Sequence, residues 1–473
     1  MAEAIPGYKL RPQQIDMAQA ILHAITNQEN LVVEAGTGTG KTLAYLVPAL
    51  LAGGKVVLST GTKTLQDQLF LRDIPALRDA LKLPVTVAIL KGRANYVCRY
   101  HLERSQLDAR LYHQEDVRFL QNIVRFTAVS PSGDKSGCHD VPENASVWAY
   151  ATSTRENCLG QDCAEYKDCF VMAARKQALA ADVVVVNHHL FFADVMLKDE
   201  GMAELLPAAN TIILDEAHQL PSTAGLFFGT SLGTGQLIEL VRDARAEGIT
   251  SAKDFAPLPE AASALEKSVR DLRLVFPQEG LRLPYERTQR FKEFEPALTS
   301  VKERLTDLEH ALQSQAERAP GLDNCWQRAQ ALNAQLKAWR EAASANTVRW
   351  VEVFNHAVQL NTTPLSIAET FKTQLEAPRT WIFTSATLAV KGDFRHYQEE
   401  MGLEQAKTAY WDSPFDYANQ ALLYVPQHLP EPNTPDYTRA VVEAALPVVQ
   451  ASGGRAFLLF TSLRAMREAH AQL

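Results

Sequence analysis

The sequence contains no uncharged apolar run of bilayer length, so none of it is expected to span a membrane. Its start, Met1-Ala2-Glu3-Ala4-Ile5-Pro6-Gly7, lacks the basic residues and apolar stretch of a secretory signal, which makes the cytoplasm the expected compartment. Cysteine is scarce, with six residues at positions 98, 138, 158, 163, 169 and 325. In a large chain without a signal peptide a disulfide framework is a poor expectation, and a tight group of thiols points first to a metal or a cluster. Low-complexity tracts and internal repeats are missing from residues 220–365. The whole chain lacks any excess of positive charge: its net charge is -8. That balance gives no global attraction for a polyanion, although a local basic groove on an acidic protein is compatible with it. What remains, 46% hydrophobic and 22% charged over 473 residues, is ordinary globular composition, with length for about two to four domains.

Short β-branched runs alternate with helical stretches: Leu31–Ala35, Val56–Thr60, Val85–Leu90, Val183–Asn187, Thr211–Leu214, Thr380–Phe383 and Ala456–Phe460. Runs of this kind suit strands buried on both faces of a parallel sheet. Their alternation with helices predicts an open α/β sheet with its ligand at the carboxyl ends of the strands. Two stretches interrupt the rhythm. Residues 94–180 carry five of the six cysteines and no strong strand. Residues 220–365 are rich in Ala, Leu, Glu and Arg. Within them Phe294, Leu298, Val301, Leu305, Leu308 and Leu312 form an a/d seam. A second seam, Cys325, Ala329, Leu332, Leu336 and Trp339, follows the break at Pro320-Gly321, so two antiparallel helices are expected, with Cys325 as a small buried apolar residue. Trp350–Phe354 and Val358–Leu360 read as short strands returning to the sheet. A new unit is expected from about residue 396. The ending, Arg467 to Leu473, lies in a helical pattern without a cap and reads as incomplete.

Two motifs carry the chemistry. Ala35-Gly36-Thr37-Gly38-Thr39-Gly40-Lys41-Thr42 joins the first strand to a helix. Glycines at this spacing bare successive backbone N–H groups to a phosphate chain at a helix N-terminus, where the dipole favours negative charge. Lys41 would reach the β/γ-phosphates and Thr42 would hold Mg²⁺. Downstream, Asp215-Glu216-Ala217-His218 closes another apolar run. Asp215 is suited to holding the metal through water, and Glu216 to orienting and deprotonating an attacking water. The pair of motifs predicts nucleotide hydrolysis. The segment Ser59–Gln68, with Thr60, Thr62, Lys63 and Gln66, gathers hydroxyls, a lysine and free N–H groups that could meet a nucleic-acid backbone or simply cap a helix. Lys91, Arg93, Tyr96, Arg99 and Tyr100 mix cations with rings, as a single-strand site or a solvated loop would. His188 and His189 end a strand without a third ligand at strand or helical spacing, which favours DNA contact or loop packing over metal.

In order along the chain, Arg11-Pro12-Gln13-Gln14, the glycine-rich loop, Ser59–Gln68, Asp215–His218 and Ser385-Ala386-Thr387 resemble the motifs of superfamily 2 helicases. The insertions resemble the XPD-like branch, bacterial YoaA/DinG group, and the Glu34–Thr42 and Leu90–Tyr96 stretches look more like its YoaA members. The resemblance covers essentially the whole chain. It implies an α/β fold: a RecA-like parallel-sheet motor domain (1–95, 181–219 and 366–395), an inserted iron–sulfur domain (96–180), an inserted helical arch (220–365), and the start of a second RecA-like domain (396–473). It further implies an ATP-dependent helicase moving 5′ to 3′ on single-stranded or forked DNA in repair or replication-fork maintenance. Such a protein would be nucleoid-associated, with a replication or repair protein as partner. Arg11 and Gln14 would serve adenine, and His218, Ser385 and Thr387 would couple hydrolysis to domain motion.

Cys158, Cys163 and Cys169 stand too far apart in sequence for a common zinc knuckle and are compatible with a cubane cluster. The resemblance implies a [4Fe–4S] cluster on Cys98, Cys158, Cys163 and Cys169. Cys138 reads as a spare thiol that could substitute for Cys98. Past Phe457–Ser462 no further arginine motif of the second motor domain follows. A catalytically silent ATP- and DNA-binding fragment and a redox-sensing DNA-binding protein are therefore alternative expectations.

Overall fold

The computed structural model describes residues 8–107, 114–199, 205–341, 347–364, 366–375, 377–432 and 434–473. The N-terminal stretch Met1–Gly7, read above for a signal, lies outside them. Strands in chain order are β1 (Leu31–Ala35), β2 (Val56–Thr60), β3 (Val87–Ile89), β4 (Val183–Asn187), β5 (Thr211–Asp215), β6 (Thr230–Gly233), β7 (Leu281–Pro284), β8 (Thr347–Val353), β9 (Val358–Pro364), β10 (Thr380–Ser385) and β11 (Lys407–Trp411).

The wholly apolar runs become a seven-stranded sheet in the order β11-β1-β10-β5-β2-β4-β3, with every pair parallel. Successive residues of one strand serve opposite faces. Val32, Val57, Val184 and Ile212 pack on one side with Phe192, Phe371, Trp381 and Phe383. Leu31, Val33, Val56 and Ile213 pack on the other with Met17, Ile21, Tyr45 and Leu46. Helices α1 (Pro12–Asn27) and α2 (Lys41–Ala52) cover that second face. Burial of each such side chain stabilises the fold by about 1.5–3 kcal/mol relative to exposure.

The strand order fixes the site. β10 lies between β1 and β5, so the carboxyl ends of these three strands present Ala35, Ser385 and Asp215 side by side.

The first interruption of the sheet folds around a small core that includes Tyr96, Val97, Leu120, Ile123, Cys138, Trp148 and Phe170, with isolated bridges in place of strands among its described residues. The second places helices Thr234–Ser251, Pro257–Leu274, Phe294–Gln313 and Pro320–Glu341 around one core, and both predicted seams, Cys325 included, are buried in it. The structure corrects three expectations. The segments near 350 and 358 do not return to the parallel sheet: they pair antiparallel in a separate four-stranded sheet, β6-β9-β8-β7, so the helical insertion carries its own sheet. β11 falls beyond residue 396 yet pairs with β1, and compact units divide between Pro414 and Phe415 instead. Ala456–Phe460 is not a strand. A buried parallel strand needs neighbours on its flanks, and none is described in the unit 415–473, which leaves Phe457 98% and Leu459 93% exposed. That unit holds helices Tyr437–Ala451 and Leu463–His470. Among the described residues no helix is long and apolar enough to cross a membrane.

Candidate nucleotide and cluster sites

The glycine-rich loop leaves β1 and enters α2 through Gly38 and Gly40, both in the left-handed region at φ 87° and 84°. A side chain at either would be strained, and a Cβ on Gly40 would lie 2.1 Å from Gln14 Nε2. Thr39 Oγ1 donates to the Gly36 carbonyl at 2.7 Å and closes the loop. Lys41 Nζ donates to the Ala35 carbonyl at 3.2 Å, which parks the ammonium at the loop's base. Gln14, on the first turn of α1, donates to the Gly40 carbonyl at 2.9 Å and accepts from the Tyr8 hydroxyl. The Gln14 amide is thus fastened to the loop, with the Arg11 guanidinium beside it.

Asp215 ends β5 and is 7% exposed. Burial, then the adjacent Glu216 charge, pushes its carboxyl up to about 7, with Lys41 opposing. Glu216 itself sits at φ 57°, an unfavourable conformation for a residue with a side chain, at a cost of about 1 kcal/mol or more. His218 Nδ1 lies 3.3 Å from Glu216 Oε2 and 2.8 Å from Ser385 Oγ. Ser385 Oγ also accepts from the Thr387 N–H at 3.4 Å. The loop, the acidic pair, His218 and the Ser385–Thr387 hydroxyls are therefore brought together at one edge.

The donors at this edge fit a hydrated Mg²⁺. The fully buried Tyr45 hydroxyl lies between the Thr42 hydroxyl and the Asp215 carboxylate and interacts with both side chains, so the end of β5 and the first turn of α2 meet at one point. A hydroxyl and a buried carboxylate gathered at one point are oxygen donors of the kind a hydrated Mg²⁺ takes.

Three residues of this site escaped the sequence reading. Tyr45 lies three residues after Thr42 on α2, hence on the same helix face, a signal that was available. Glu34, the only charged residue in the run forming β1, accepts from the N–H groups of Leu388 and Ala389. Ser413 Oγ donates to the Thr37 carbonyl at 2.7 Å, and a Cβ on Gly36 would lie 2.5 Å from the Ser413 backbone. Nothing in the sequence pattern announced Ser413.

The residues expected at DNA divide. Thr62 caps helix α3 (Lys63–Gln68) by accepting from Leu65 N–H, and Lys63 beside it is exposed and donates to Asn95 Oδ1 at 2.6 Å. Thr60, Gln66, Lys91, Tyr96 and His188 turn inward, and direct DNA contact is corrected for them, whereas Arg93 keeps partial exposure. Thr60 is fully buried. Gln66 donates to the carbonyls of Leu90 and Val185. Lys91 is 5% exposed between Asp67 and Asp134, each at 2.8 Å. Tyr96 is buried and its hydroxyl accepts from Lys91 N–H. His188 is buried with Nδ1 2.7 Å from Ser59 Oγ, and burial pushes its imidazole down to about 4. The sequence could not show these orientations, because the partners that draw Gln66, Lys91 and His188 inward come from distant parts of the chain.

Cys98, Cys158, Cys163 and Cys169 line one cavity of about 200 Å³ together with Arg93, Arg99 and Arg175. None is in a disulfide, and Arg93 Nη1 donates to Cys158 Sγ at 3.2 Å. Burial, reinforced by the other three sulfurs, pushes the Cys98 thiol up to about 12. Among the described residues no three His, Cys, Asp or Glu side chains converge as the ligands of a single ion would. Four thiols lining one cavity, with arginines beside them to balance negative charge, are a donor set that would suit a cluster held by cysteine thiolates. Cys138 belongs to the lobe's core instead. Asn157, next to Cys158, donates to Glu239 at 2.9 Å and to Asp243 at 3.3 Å, and Tyr100 donates to Glu247 at 2.6 Å, so the cavity's wall is tied to helix Thr234–Ser251.

Residues 12–109 match the DEAD/DEAH box helicase family. The chain is 42% identical over 472 residues to the ATP-dependent DNA helicase YoaA of Escherichia coli K12, covering 99% of this chain and 74% of that one. It is 40% identical over 469 residues to YoaA of Haemophilus influenzae, covering 99% and 73%. With the ATP-dependent helicase DinG of Mycobacterium tuberculosis H37Rv it shares 32% identity over 505 residues, covering 98% and 73%. Among solved structures an XPD helicase superposes with a TM-score of 0.51 at 16% identity, covering 98% of this chain and 75% of that one, a likeness of fold.

Proposed function

This chain belongs to the YoaA/DinG group of XPD-like superfamily 2 helicases, and from that premise we propose that it is an ATP-dependent DNA helicase that moves 5′ to 3′ along a single strand. The observation that carries the reading is the adjacency of β1, β10 and β5, which sets the phosphate loop, Ser385 and the acidic pair on one edge. In this account the loop amides and Lys41 hold the β/γ-phosphates, with Lys41 leaving the Ala35 carbonyl to do so. Arg11 and Gln14, already at the loop, serve the base. Thr42 and Asp215 would hold Mg²⁺, which neutralises phosphate charge when bound. Glu216 orients water and takes its proton, while His218 carries the state of that carboxylate to Ser385 and Thr387.

DNA, single-stranded or forked, would follow the exposed start of α3, with Thr62, Lys63 and Arg93, and run between the cysteine-bearing lobe and the helical insertion. Cys98, Cys158, Cys163 and Cys169 would hold a [4Fe–4S] cluster, which would cross-link a lobe whose own core is small. The motor domain would comprise 8–95, 181–219 and 366–414, a boundary moved by β11. Work in repair or at replication forks, at the nucleoid and with a replication or repair protein as partner, completes the reading.

The test uses duplexes with one single-stranded tail and ATP. Unwinding from the 5′-tailed substrate alone is expected. Unwinding only from the 3′ tail would reverse the polarity, and none from either tail would defeat the helicase reading.

A further inference from the structure

We propose that Glu34 is a positioning residue for coupling: its carboxylate fastens the Ser385–Thr387 loop to the strand that carries the phosphate loop. This inference rests on the ATPase reading above and deepens it.

Glu34 is a charged residue one position before the end of β1, an otherwise apolar strand flanked by β11 and β10. Parallel register sets it beside Ser385 on β10 and Tyr410 on β11. Its side chain does not leave for solvent as a strand-end carboxylate usually does. Oε2 accepts from two successive backbone amides, Leu388 N–H and Ala389 N–H, the latter at 2.6 Å. Such charge-assisted bonds are the strong kind. Those amides immediately follow Thr387, and Leu388 is itself buried.

The bonds on either side give this anchor its meaning. Ala35, the next residue, offers its carbonyl to Lys41 Nζ. At the other end Ser385 Oγ meets His218 Nδ1 at 2.8 Å, and His218 meets Glu216 at 3.3 Å. One strand end therefore holds the phosphate-binding lysine by its backbone and the hydroxyl loop by its side chain. A continuous set of polar contacts runs from the lysine's anchor through the loop to the residue assigned to water. Glu34 touches no reacting atom in this arrangement. It fixes the far side of the loop whose near side reads His218. Without an acceptor the two amides lose their partner, and the loop can drift from His218.

The experiment compares the full chain with Glu34→Ala and Glu34→Gln by two readouts. Amide hydrogen exchange at Leu388 and Ala389 is expected to accelerate at least about tenfold in Glu34→Ala and less in Glu34→Gln, which keeps a neutral acceptor. Exchange as slow as in the unaltered chain overturns the anchor whether or not the protein hydrolyses ATP. Phosphate release at saturating single-stranded DNA is expected to show kcat lowered about tenfold in Glu34→Ala with KM for ATP within about twofold, and most of kcat recovered in Glu34→Gln. A loss confined to KM, or an unchanged kcat, overturns the coupling role. Should Glu34→Ala fail to fold, Glu34→Gln decides alone by exchange: faster exchange at Leu388 and Ala389 than in the unaltered chain supports the proposal, and exchange as slow as the unaltered chain's refutes it. Absence of DNA-stimulated hydrolysis in the unaltered chain would instead defeat the functional reading, and the exchange measurement would still judge the anchor.

Discussion

His218 Nδ1 stands 2.8 Å from Ser385 Oγ, although the two residues are 167 apart in sequence. The contact exists because β10 inserts between β1 and β5, bringing the end of one strand against the turn that follows another. If this bond transmits the state of the acidic pair, His218→Ala and Ser385→Ala should each lower DNA-stimulated phosphate release by about tenfold, with nucleotide affinity nearly unchanged. The double variant should be hardly worse than either single one, since both remove the same link. Additive losses in that double-mutant cycle would separate the two residues.

Lys91 decides between two roles for a basic residue near a DNA site. Burial alone would lower its pKa, but the bonds to Asp134 and Asp67 more than offset this and raise it. The ammonium is a strut between α3 and the cysteine-bearing lobe. Lys91→Met should therefore cost about 2 kcal/mol in denaturant unfolding, less than a fully enclosed pair because Asp67 keeps some access to water. The salt dependence of single-strand binding should keep its slope, whereas removal of a phosphate contact would flatten it by about 0.7.

Asp243 and Arg328, 2.7 Å apart and both nearly inaccessible, lie next to the polar ties between the two insertions. Burial pushes the Asp243 carboxyl up, but Arg242 and Arg328 overcome it and hold it below the ordinary aspartate value. A depressed folded pKa contributes stability above the unfolded value, and that contribution is lost as pH falls through the folded one. Acid should therefore destabilise the unaltered chain more steeply than Asp243→Asn below about pH 4. At neutral pH the variant should be weaker by about 3 kcal/mol, because Arg328 is left buried without its counter-charge. Parallel acid limbs in denaturant titrations would contradict the assignment.

The four-thiol cavity predicts about four iron and four sulfide per chain in anaerobically prepared protein. Cys158→Ser should lower the iron content and the melting temperature together, while Cys138→Ser, altered in the lobe's core, should leave iron in place. Equal iron loss in both variants, or stoichiometric zinc in place of iron, would argue against the ligand set.

Much of this was legible in the sequence for identifiable reasons. Strands β1, β2 and β4 coincide with the runs read from the chain, because a strand covered on both faces must be apolar throughout, and that leaves a continuous signal. The seams of Phe294–Gln313 and Pro320–Glu341 were equally plain. The antiparallel sheet in the helical insertion was not, since its short strands resemble those of the motor sheet and nothing local states which sheet they join. β11, Lys407–Trp411, was missed because an edge strand carries polar residues. Within the site, spacing gave identities but not directions. It could not say that Lys91, Gln66 and His188 turn inward, nor that Glu34 reaches across to Ala389, because those outcomes depend on partners from 24 to 355 residues away.

Phosphate release from ATP, measured with and without single-stranded DNA for the unaltered chain and for Lys41→Ala, tests the central claim most directly. The account predicts DNA-stimulated release by the unaltered chain and at least about a hundredfold loss in Lys41→Ala, with unchanged circular dichroism and melting temperature. Normal DNA-stimulated release by Lys41→Ala would contradict it, since phosphate would then be held somewhere other than the turn between β1 and α2.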